Sequence, residues 1–425
     1  MKIAIIGTGI AGNVAAYHLH KKHDITVFEA GHYIGGHTNT VDVDLDGRSY
    51  AVDTGFIVFN DWTYPHFIKL MNELNVPSQP SSMGFSMRCQ KTGLEYNGSS
   101  LNALFTQRLN VLKPSFHRMI RDILRFNREA THFLEEGDNK LSLGEYLFAR
   151  GYGREFVDHY VIPMGAAIWS ADPVGLLSMP ARFFVRFFNN HGLLSVKNRP
   201  TWRVIKGGSR SYVEPLVAAH RHKIRLGTAV RSIRRFDTHV EVSTEGNDPE
   251  CFDQVFVACH SDQALAMLTD ATTQERDILG AIPYQYNEAV LHTDVSLMPS
   301  QRRAWAAWNY HVLDRDQGRV SLTYNMNILQ GLDSAEQFCV TLNNSDAIDP
   351  ARIIQRIDYE HPVFTAESVA AQRRHGDING INRTYFCGAY WRNGFHEDGV
   401  VSALKSLEHF EERAGREELY LRRAG

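Results

Sequence analysis

The sequence predicts an α/β protein in which a Rossmann-like domain with a mixed parallel sheet is interleaved with an α+β domain. Three observations support this fold class. The chain starts with the apolar run Lys2–Ile6, a glycine turn, a helical pattern over 11–22 and a second buried strand, Ile25–Phe28, which together form one βαβ unit. The patterning is mostly helical from about 63 to 200 and returns to α/β over 203–265. The length of 425 residues also exceeds what one simple core usually contains.

Strand and helix patterns follow one another along the rest of the chain. Further strands are predicted at Val41–Leu45, Tyr50–Val52, Ile224–Leu226, Val230–Arg235, Val240–Ser243, Val255–Ala258, Ala289–Thr293, Trp308–Leu313, Val320–Tyr324, Phe338–Leu342 and Thr384–Cys387. Further helices are predicted at Pro65–Leu74, Ser115–Glu135, Leu143–Arg150, Pro180–Asn190 and 209–220, with a last helix from about Gly399. This order predicts one domain formed by 1–62, 203–265 and 375–425, and a second domain formed by 63–202 and 266–374.

Composition and charge exclude several classes of protein. The 45 basic and 48 acidic side chains give a net charge near −3, so no nucleic-acid partner is predicted. The five cysteines form no CxxC pair, which indicates a reduced protein without disulfides or a zinc site. Single histidines such as His159 and His191 lack metal-ligand spacing, and no metal is predicted. Because neither a signal-peptide pattern nor a long apolar run occurs, we expect a cytoplasmic location, with peripheral contact at the inner membrane face left open.

The turn after the first strand fits the pattern G-x-G-x-x-G. Gly7 permits the tight turn, Gly9 lets the backbone approach a pyrophosphate, and Gly12 lets the helix pack closely on the strand. Ile10 and Ala11 open the helix, whose N-terminal N–H groups attract phosphate. The turn therefore predicts a phosphate-binding loop.

A carboxylate follows at the expected distance. Glu29 lies 22 residues after Gly7, at the end of the second strand, where it can accept hydrogen bonds from both ribose hydroxyls. Strand, turn, helix and acid in this register predict binding of an adenine dinucleotide.

The next residues favour FAD over NAD. Glu29-Ala30 and Gly35-Gly36 repeat the E-A and G-G-R motifs that follow the glycine turn in one family of FAD-dependent enzymes. In this layout the chain resembles the flavin amine oxidases, protoporphyrinogen oxidases and carotenoid desaturases, and in its middle part a bacterial subgroup of that family. The resemblance implies cofactor contacts along Gly35-Gly36-His37-Thr38. His37 stands where the family has an arginine that helps to hold the pyrophosphate, and a protonated histidine replaces that arginine only in part.

The resemblance extends to the far end of the chain. Phe386-Cys387-Gly388 is similar to the family's strand end, and Asp398-Gly399-Val400 is similar to its last glycine turn and helix. These matches imply that Gly388, Asp398, Gly399 and Val400 lie at the flavin, with the helix N-terminus directed at the pyrimidine ring. They also imply that Val230 meets the adenine through its backbone. A strand-end cysteine such as Cys387 is usually only packed, so a non-covalent FAD is predicted.

Candidate catalytic residues lie between the two flavin-contacting stretches at the far end. Tyr390 and Trp391 are predicted to face the substrate, with ordinary aromatic packing as the alternative. His396 is a candidate for proton handling, whereas Asp398 is better explained as a helix cap. Trp169 either forms a wall of the pocket or belongs to the core.

Two segments allow contact with lipid. Arg118, Arg121, Arg125 and Arg128 recur at helical spacing, which is typical of a solvated, ion-paired face but also of a face that binds anionic head groups. The aromatic run Arg182–Phe188 belongs either to the core or to an acyl tunnel.

The leading hypothesis is an FAD-dependent oxidoreductase that takes a hydride from a small, apolar and lipid-like substrate. An amine oxidase that releases peroxide is the second hypothesis, and a redox-neutral isomerase or mutase is the third. No second G-x-G-x-x-G unit offers a nicotinamide site, so oxygen, a quinone or another external acceptor is expected to reoxidise the flavin.

Overall fold

The computed structural model describes residues 1–135, 140–314 and 318–424, with side chains described up to Arg413. The described strands are β1 (Lys2–Ile6), β2 (Asp24–Phe28), β3 (Thr40–Leu45), β4 (Arg48–Asp53), β5 (Val58–Asn60), β6 (Ser78–Pro80), β7 (Phe85–Cys89), β8 (Glu95–Asn97), β9 (Trp202–Ile205), β10 (Ile224–Arg225), β11 (Val230–Arg235), β12 (Val240–Thr244), β13 (Glu250–Phe252), β14 (Gln254–Val257), β15 (Tyr284–His292), β16 (Trp308–Val312), β17 (Ser321–Asn325), β18 (Cys339–Leu342), β19 (Ile353–Pro362) and β20 (Thr384–Phe386).

The described helices are α1 (Ile10–Leu19), α2 (Pro65–Glu73), α3 (Leu101–Leu104), α4 (Pro114–Glu135), α5 (Leu143–Ala149), α6 (Arg154–Phe156), α7 (Ile162–Trp169), α8 (Pro173–Ser178), α9 (Ala181–Asn190), α10 (Arg210–Val217), α11 (Ser261–Met267), α12 (Thr273–Leu279), α13 (Met326–Gln330), α14 (Ala366–Gln372), α15 (His375–Ile378) and α16 (His396–Ala424). A π-helical turn, Val157–Val161, connects α6 to α7. Short 3-10 turns lie at Arg108–Leu112, Arg221–Lys223, Val295–Leu297, Arg302–Ala304, Ser345–Ala347, Pro350–Arg352 and Ala389–Trp391.

A five-stranded parallel sheet forms the centre of one half of the molecule. Its order is β10-β2-β1-β14-β20. Alternate side chains of β1 point to opposite faces, so Ile3 and Ile5 pack with α1 and α16, whereas Ala4 and Ile6 pack toward β11–β13 and α11–α12. Both faces are therefore covered, as parallel sheets require. The predicted α/β fold class, with its βαβ unit at the start of the chain, is confirmed.

A seven-stranded sheet forms the other half, in the order β19-β15-β18-β17-β16-β7-β8. Its pairs are antiparallel except for β16 with β7. One large core cluster joins this sheet to α4, α7 and α9. The remaining described strands form two three-stranded sheets, β5-β9-β6 and β11-β12-β13, and the hairpin β3–β4.

The described structure contains elements that the sequence did not predict, among them β5, β9, α11, α12 and α14. The stretch from about 63 to 200 is not only helical, because β6, β7 and β8 are short strands whose few residues show no clear period. The ten-residue strand β19 was not predicted, because as an edge strand it exposes many polar side chains. The last helix begins at His396 and not near Gly399.

The domain boundaries stay a prediction, and they include residues 136–139, 315–317 and 425, which lie outside the described residues. Within the described ranges, no helix is both long enough and apolar enough to cross a bilayer.

Candidate active site

A cavity of about 510 Å³ opens at the carboxyl ends of β1, β2 and β14. We call it the glycine-loop cavity, because Gly7, Gly9 and Gly36 form part of its wall. The crevice at the carboxyl ends of parallel strands is where open α/β sheets bind ligands. The fold therefore places the glycine turn at the ligand-binding edge of the sheet.

Each glycine of this turn has a different structural role. Gly7 has φ +101°, and a Cβ there would lie 3.0 Å from the carbonyl oxygen of Ala258. At Gly12 a Cβ would lie 2.0 Å from the carbonyl oxygen of Gly7, so only glycine allows α1 to pack this closely. A Cβ on Gly9, in contrast, would meet no atom within 4 Å. Gly9 lines the cavity and no side chain caps the N-terminus of α1, so its N–H groups are available to a phosphate.

Glu29 is held in place at the wall of the same cavity. Its Oε2 accepts hydrogen bonds from the backbone N–H of Thr8 at 2.8 Å and from the Thr8 hydroxyl, and its Oε1 accepts one from Gly31 N–H at 2.8 Å. A carboxylate accepts about four hydrogen bonds, so capacity remains for a ribose hydroxyl. These features fit the adenine–ribose–pyrophosphate part of FAD.

Three histidines, His37, His260 and His361, form a cluster on the wall of the glycine-loop cavity. The His37 ring lies 5.6 Å from the His361 ring and 5.9 Å from the His260 ring, and it stacks on Tyr359 at 4.9 Å. Burial, followed by the neighbouring His361 and His260, lowers the pKa of His37 to about 3. Burial likewise lowers the pKa of His361 to about 4.

Acidic neighbours of the cluster do not reverse the lowering of the histidine pKa values by burial. Burial lowers the pKa of His260, although the carboxylate of Glu360 lies 3.4 Å from its Nδ1 and Asp262 also favours the charged ring. His361 Nδ1 accepts a hydrogen bond from Asn287 Nδ2 at 3.0 Å. With only protein groups around it, His37 is therefore neutral and does not carry the positive charge of an arginine. No lysine or arginine is among the residues that line this cavity.

A second cavity of about 100 Å³, the aromatic cavity, shares Phe56, His361, Pro362 and Gly394 with the first. Its wall includes Trp169, Trp308, Tyr324, Phe364, Phe395 and His396. No aspartate, glutamate, lysine or arginine lines it. The cavity therefore suits an apolar group better than an ion, which would lose its hydration without gaining a counter-charge.

Three polar atoms on this wall are buried without a hydrogen-bond partner: Trp169 Nε1, Trp308 Nε1 and His396 Nε2. The His396 ring is 1 % exposed and lies 4.6 Å from the rings of both Phe56 and Phe67. Burial lowers its pKa to about 3 despite a hydrogen bond with the backbone of Val58. Since that bond engages the other ring nitrogen, Nε2 of the neutral ring is free to accept a hydrogen bond.

A third cavity of about 120 Å³, the side cavity, shares Trp169, His361, Pro362 and Phe364 with the aromatic cavity. Its wall includes Asp172 and Gln285. Asp172 Oδ2 accepts a hydrogen bond from Gly175 N–H at 2.9 Å, whereas Asp172 Oδ1 and Gln285 Nε2 are buried without a partner. The side cavity thus offers one acceptor and one donor beyond the aromatic walls.

The structure brings most of the sequence-predicted residues together. Those that line the glycine-loop cavity are Gly7, Gly9, Ile10, Ala11, Glu29, Ala30, Gly36, His37, Val230, Gly388 and Tyr390. Trp169 and His396 line the aromatic cavity. Their roles toward a cofactor or substrate stay predictions.

Seven predicted residues lie behind these walls. They are Gly12, Gly35, Thr38, Trp391, Asp398, Gly399 and Val400. The Thr38 hydroxyl is hydrogen-bonded to that of Tyr212, and Gly399 packs against Ile10. Asp398 accepts a hydrogen bond from Phe395 N–H at 3.0 Å, which agrees with its expected capping role. The Trp391 ring is 4 % exposed and lies 4.5 Å from the His375 ring, so it faces the core and not a cavity.

Asp53 supports the site from outside. It is fully buried and accepts hydrogen bonds from the Thr40 hydroxyl at 2.6 Å, from Ser209 N–H at 2.9 Å and from Gln330 Nε2 at 3.0 Å. Burial raises its pKa to about 7. Asp53 therefore joins β4 to α10 and α13, next to the Gly55–Phe56 wall of the aromatic cavity.

The sequence interpretation missed several residues of the walls, namely His260, Trp308, Tyr324, His361 and Phe364. The only signal for His361 was the aromatic and polar run Tyr359-Glu360-His361, and it lies in the unpredicted strand β19. The four phenylalanines of the run Arg182–Phe188 lie in the core or pack against it, whereas Arg186 is exposed. Phe183 stacks at 4.9 Å on Phe364, which lines the aromatic cavity. One group in the described part of the chain, His239, Glu241 and Cys251, has ligand atoms close enough for a metal ion, and none of the three lines a cavity described above.

Comparisons with known proteins agree with this geometry. The profile of the flavin containing amine oxidoreductases matches residues 10–292. A putative flavin-containing monoamine oxidase AofH of Mycobacterium tuberculosis (strain ATCC 25618 / H37Rv) is 25% identical over 261 residues, which are 58% of this chain and 54% of the relative. The match thus spans about half the length of that curated relative.

Solved structures of similar fold cover nearly the whole chain. The cyclohexylamine oxidase from Brevibacterium oxydans IH-35A has a TM-score of 0.70 at 16% identity, covering 97% of this chain and 99% of its own. The CLA-producing fatty acid isomerase from P. acnes has a TM-score of 0.67 at 16% identity, covering 96% and 98%. A reduced UDP-galactopyranose mutase has a TM-score of 0.68 at 14% identity, covering 97% and 95%. At these identities the likeness concerns the fold alone.

Proposed function

The chain belongs to the family of flavin-containing amine oxidoreductases, and from this premise we propose that it is an FAD-dependent oxidoreductase whose substrate is apolar and lipid-like. Within the proposal, the glycine-loop cavity binds the FAD and the aromatic cavity receives the part of the substrate that reacts. The junction of the two cavities at Phe56, His361 and Gly394 supports this division, because it connects a nucleotide site directly to an apolar pocket.

The residues present fit FAD. The uncapped N-terminus of α1 and Gly9 suit a pyrophosphate, and Glu29 suits a ribose. We further propose that the flavin is held without a covalent bond. Cys387 does not line the cavity, and burial raises the pKa of Cys259, which does line it, to about 12. A protonated thiol is a poor nucleophile, which supports non-covalent binding.

A flavin bound in such a site supplies a hydride acceptor. The chain's own residues bind and orient the substrate and exclude water. Trp169, Phe364 and Phe395 give the aromatic cavity its dry walls. His396 Nε2 is unpartnered and unprotonated, so its lone pair is free to accept a hydrogen bond that orients the substrate, and its pKa of about 3 makes it a weak base.

The single observation that carries the apolar assignment is the absence of a charged side chain among the residues lining the aromatic cavity. An ammonium or carboxylate group placed there would lose its hydration and find no counter-charge. A hydrocarbon chain, in contrast, gains from the burial and meets no unsatisfied charge.

A second candidate, oxidation of an amine, is favoured by one observation in the side cavity. Asp172 Oδ1 is a buried carboxylate oxygen without a partner, and it can accept a hydrogen bond from an ammonium group. The likeness to the cyclohexylamine oxidase fold is compatible with this candidate.

The test is anaerobic incubation of the FAD-loaded protein with two sets of compounds in separate reactions. The first set contains phospholipids and fatty acids, and the second contains aliphatic and aromatic amines. We expect lipids to bleach the visible absorbance of the flavin and to give a product that has lost a pair of hydrogen atoms by mass spectrometry. Bleaching by amines alone would establish the second candidate. A lipid product of unchanged mass, formed without net bleaching, would indicate a redox-neutral isomerase and overturn the proposed reaction.

A further inference from the structure

The surface segment 96–121 has an unusual distribution of charge. Between Glu95 and Asp122 the chain contains Arg108, Lys113, Arg118 and Arg121, together with His117, and no acidic residue. In the whole chain, by contrast, acidic side chains slightly outnumber basic ones, 48 to 45. The segment is therefore a local basic region on a nearly neutral protein.

The same segment exposes large apolar side chains. Leu101 is 77% exposed, Leu109 73%, Val111 50% and Leu112 79%. We call these four residues the leucine surface. Single exposed apolar side chains are ordinary on a soluble protein, but three leucines and a valine within twelve residues mark a surface that meets an apolar partner.

The 3-10 turn Arg108–Leu112 is inverted relative to a water-facing turn. Arg108, at its start, is exposed, but its uncharged polar residue, Asn110, is completely buried and donates a hydrogen bond from Nδ2 to Gln107 Oε1 at 3.1 Å. Its apolar residues, Leu109, Val111 and Leu112, are the ones that face outward. Burying an amide while exposing leucines is unfavourable in water alone, so the turn is matched to a different environment.

The exposed leucines are fixed by the packing beneath them. The Phe105 ring lies 5.5 Å from the Phe116 ring, and His117 Nε2 is 2.7 Å from the carbonyl oxygen of Val111. Ala103 is buried under the same turn. The leucine surface is therefore held outward by the fold at the start of α4.

Basic residues lie within and directly after the leucine surface in the sequence. The Arg108 guanidinium donates to Asn102 Oδ1 and to the carbonyl oxygen of Phe105, and neither is a carboxylate. Lys113 and Arg121 are exposed, whereas Arg118 is paired with Glu155 at 2.9 Å. Exposed apolar side chains with flanking lysine and arginine are the composition of a segment that lies in the interface of an anionic bilayer.

We propose that the leucine surface docks the protein on anionic lipid bilayers, with Leu109 and Leu112 entering the boundary between head groups and acyl chains. Arg108, Lys113 and Arg121 then lie at the level of the lipid phosphates. Docking requires no turnover, so it goes beyond the proposed reaction, and it would bring a lipid-specific enzyme to the source of its substrate.

The test is sedimentation of the FAD-loaded protein with vesicles, followed by measurement of the bound fraction. We expect binding to vesicles of phosphatidylglycerol and phosphatidylcholine in equal parts, weaker binding at high salt, and little binding to pure phosphatidylcholine. The double variant Leu109→Ser/Leu112→Ser should lower partitioning to the anionic vesicles at least about tenfold, because two apolar anchors are lost. The variant Lys113→Gln/Arg121→Gln should lower it as well and remove most of the salt dependence.

The matched control is Phe148→Ser, since Phe148 is 88% exposed on α5 and lies outside the leucine surface. It should bind vesicles like the unaltered protein, and all variants should keep their flavin spectrum and melting temperature because the changed side chains are exposed. Equal loss of binding in the control and the leucine variant would overturn the proposal. Absence of binding of the wild-type protein to anionic vesicles would overturn it as well. If light scattering then showed a dimer that the leucine variant dissociates, the leucine surface would be a contact between two copies of the chain. None of these outcomes depends on the identity of the substrate.

Discussion

The rings of His37 and His361 lie 5.6 Å apart where the glycine-loop cavity meets the aromatic cavity. Burial keeps both rings neutral, and the lining residues of the glycine-loop cavity include no lysine or arginine. A pyrophosphate bound in this cavity brings negative charge close to histidines, which are the lining residues that can become positively charged by taking up a proton. The charge on the histidine cluster is therefore linked to occupation of the cavity.

The first prediction follows from this linkage. A bound anion favours the protonated form of His37, whose pKa is about 3 in the protein alone. FAD binding should therefore take up protons between that value and the higher pKa of the complex, and the affinity should rise as the pH falls from 6 to 5, by at most about tenfold per pH unit for each proton. Isothermal titration calorimetry in buffers of different ionisation enthalpy measures the uptake directly. His37→Gln should reduce the uptake, and His37→Arg should give tight binding that depends less on pH. Affinity that falls with decreasing pH would contradict this prediction.

The second prediction concerns Gly9. Its Cβ position faces open space in the cavity, so Gly9→Ala should leave the melting temperature nearly unchanged while the new methyl group blocks the approach of the pyrophosphate. We expect FAD affinity to fall at least about tenfold, a loss on the order of 1.4 kcal/mol. Fluorescence titration with FAD measures it. Gly98→Ala is the matched control, because a Cβ there meets only the carbonyl oxygen of Phe85 at 4.0 Å. Equal FAD affinity in the two variants would rule out this role of Gly9.

The third prediction separates His396 from Trp391. His396→Gln removes the unpartnered ring nitrogen of the aromatic cavity, so the rate of flavin reduction by substrate should fall about a hundredfold or more while FAD affinity is retained. Trp391→Phe should reduce that rate little, since the Trp391 ring packs against His375 and lines none of the three cavities. Rapid-mixing absorbance of the flavin measures both rates. The opposite order of effects would restore the substrate-facing role that the sequence predicted for Trp391.

The fourth prediction concerns stability in acid. Besides His37 and His361, burial lowers the pKa of six further histidines to about 3 or 4; they are His191, His220, His292, His311, His375 and His396. Below about pH 6.5 the unfolded chain binds more protons at these residues than the folded chain, so each one costs about 2 kcal/mol of stability at pH 5. Asp53 and Asp398 act in the opposite direction, because burial raises their pKa to about 7 and about 6, and they offset part of the loss.

The melting temperature should therefore fall steeply as the pH decreases from 6.5 to 5. Calorimetry across this range checks the prediction. A melting temperature that stays constant or rises toward pH 5 would show that these histidines are protonated in the folded protein.

Much of the fold was predictable because its signals are local. The βαβ unit, the glycine turn and Glu29 lie within thirty residues, and each has a distinct sequence pattern. The walls of the aromatic cavity were not predictable in the same way. Trp308 and Tyr324 lie in predicted strands, but only the pairing of β16 with β17 and β7 decides which face meets the cavity. His361 lies in the edge strand β19, which was not predicted because its many polar side chains show no strand pattern.

Trp391 shows a different limit of sequence reasoning. Its position next to Gly388 and Tyr390 suggested the substrate pocket. Tyr390 and Trp391 belong to the same core cluster, and their rings lie 5.0 Å apart, but only Tyr390 also lines the glycine-loop cavity. Proximity along the chain does not determine orientation in an irregular turn.

The most direct test of the account is an anaerobic titration of the FAD-loaded protein with a long-chain lipid, in which the lost flavin absorbance is compared with the lipid consumed. We predict that one equivalent of lipid bleaches one equivalent of flavin and that amines leave the spectrum unchanged. Bleaching by amines alone, or a protein that takes up a nicotinamide nucleotide and refuses FAD, would contradict the account.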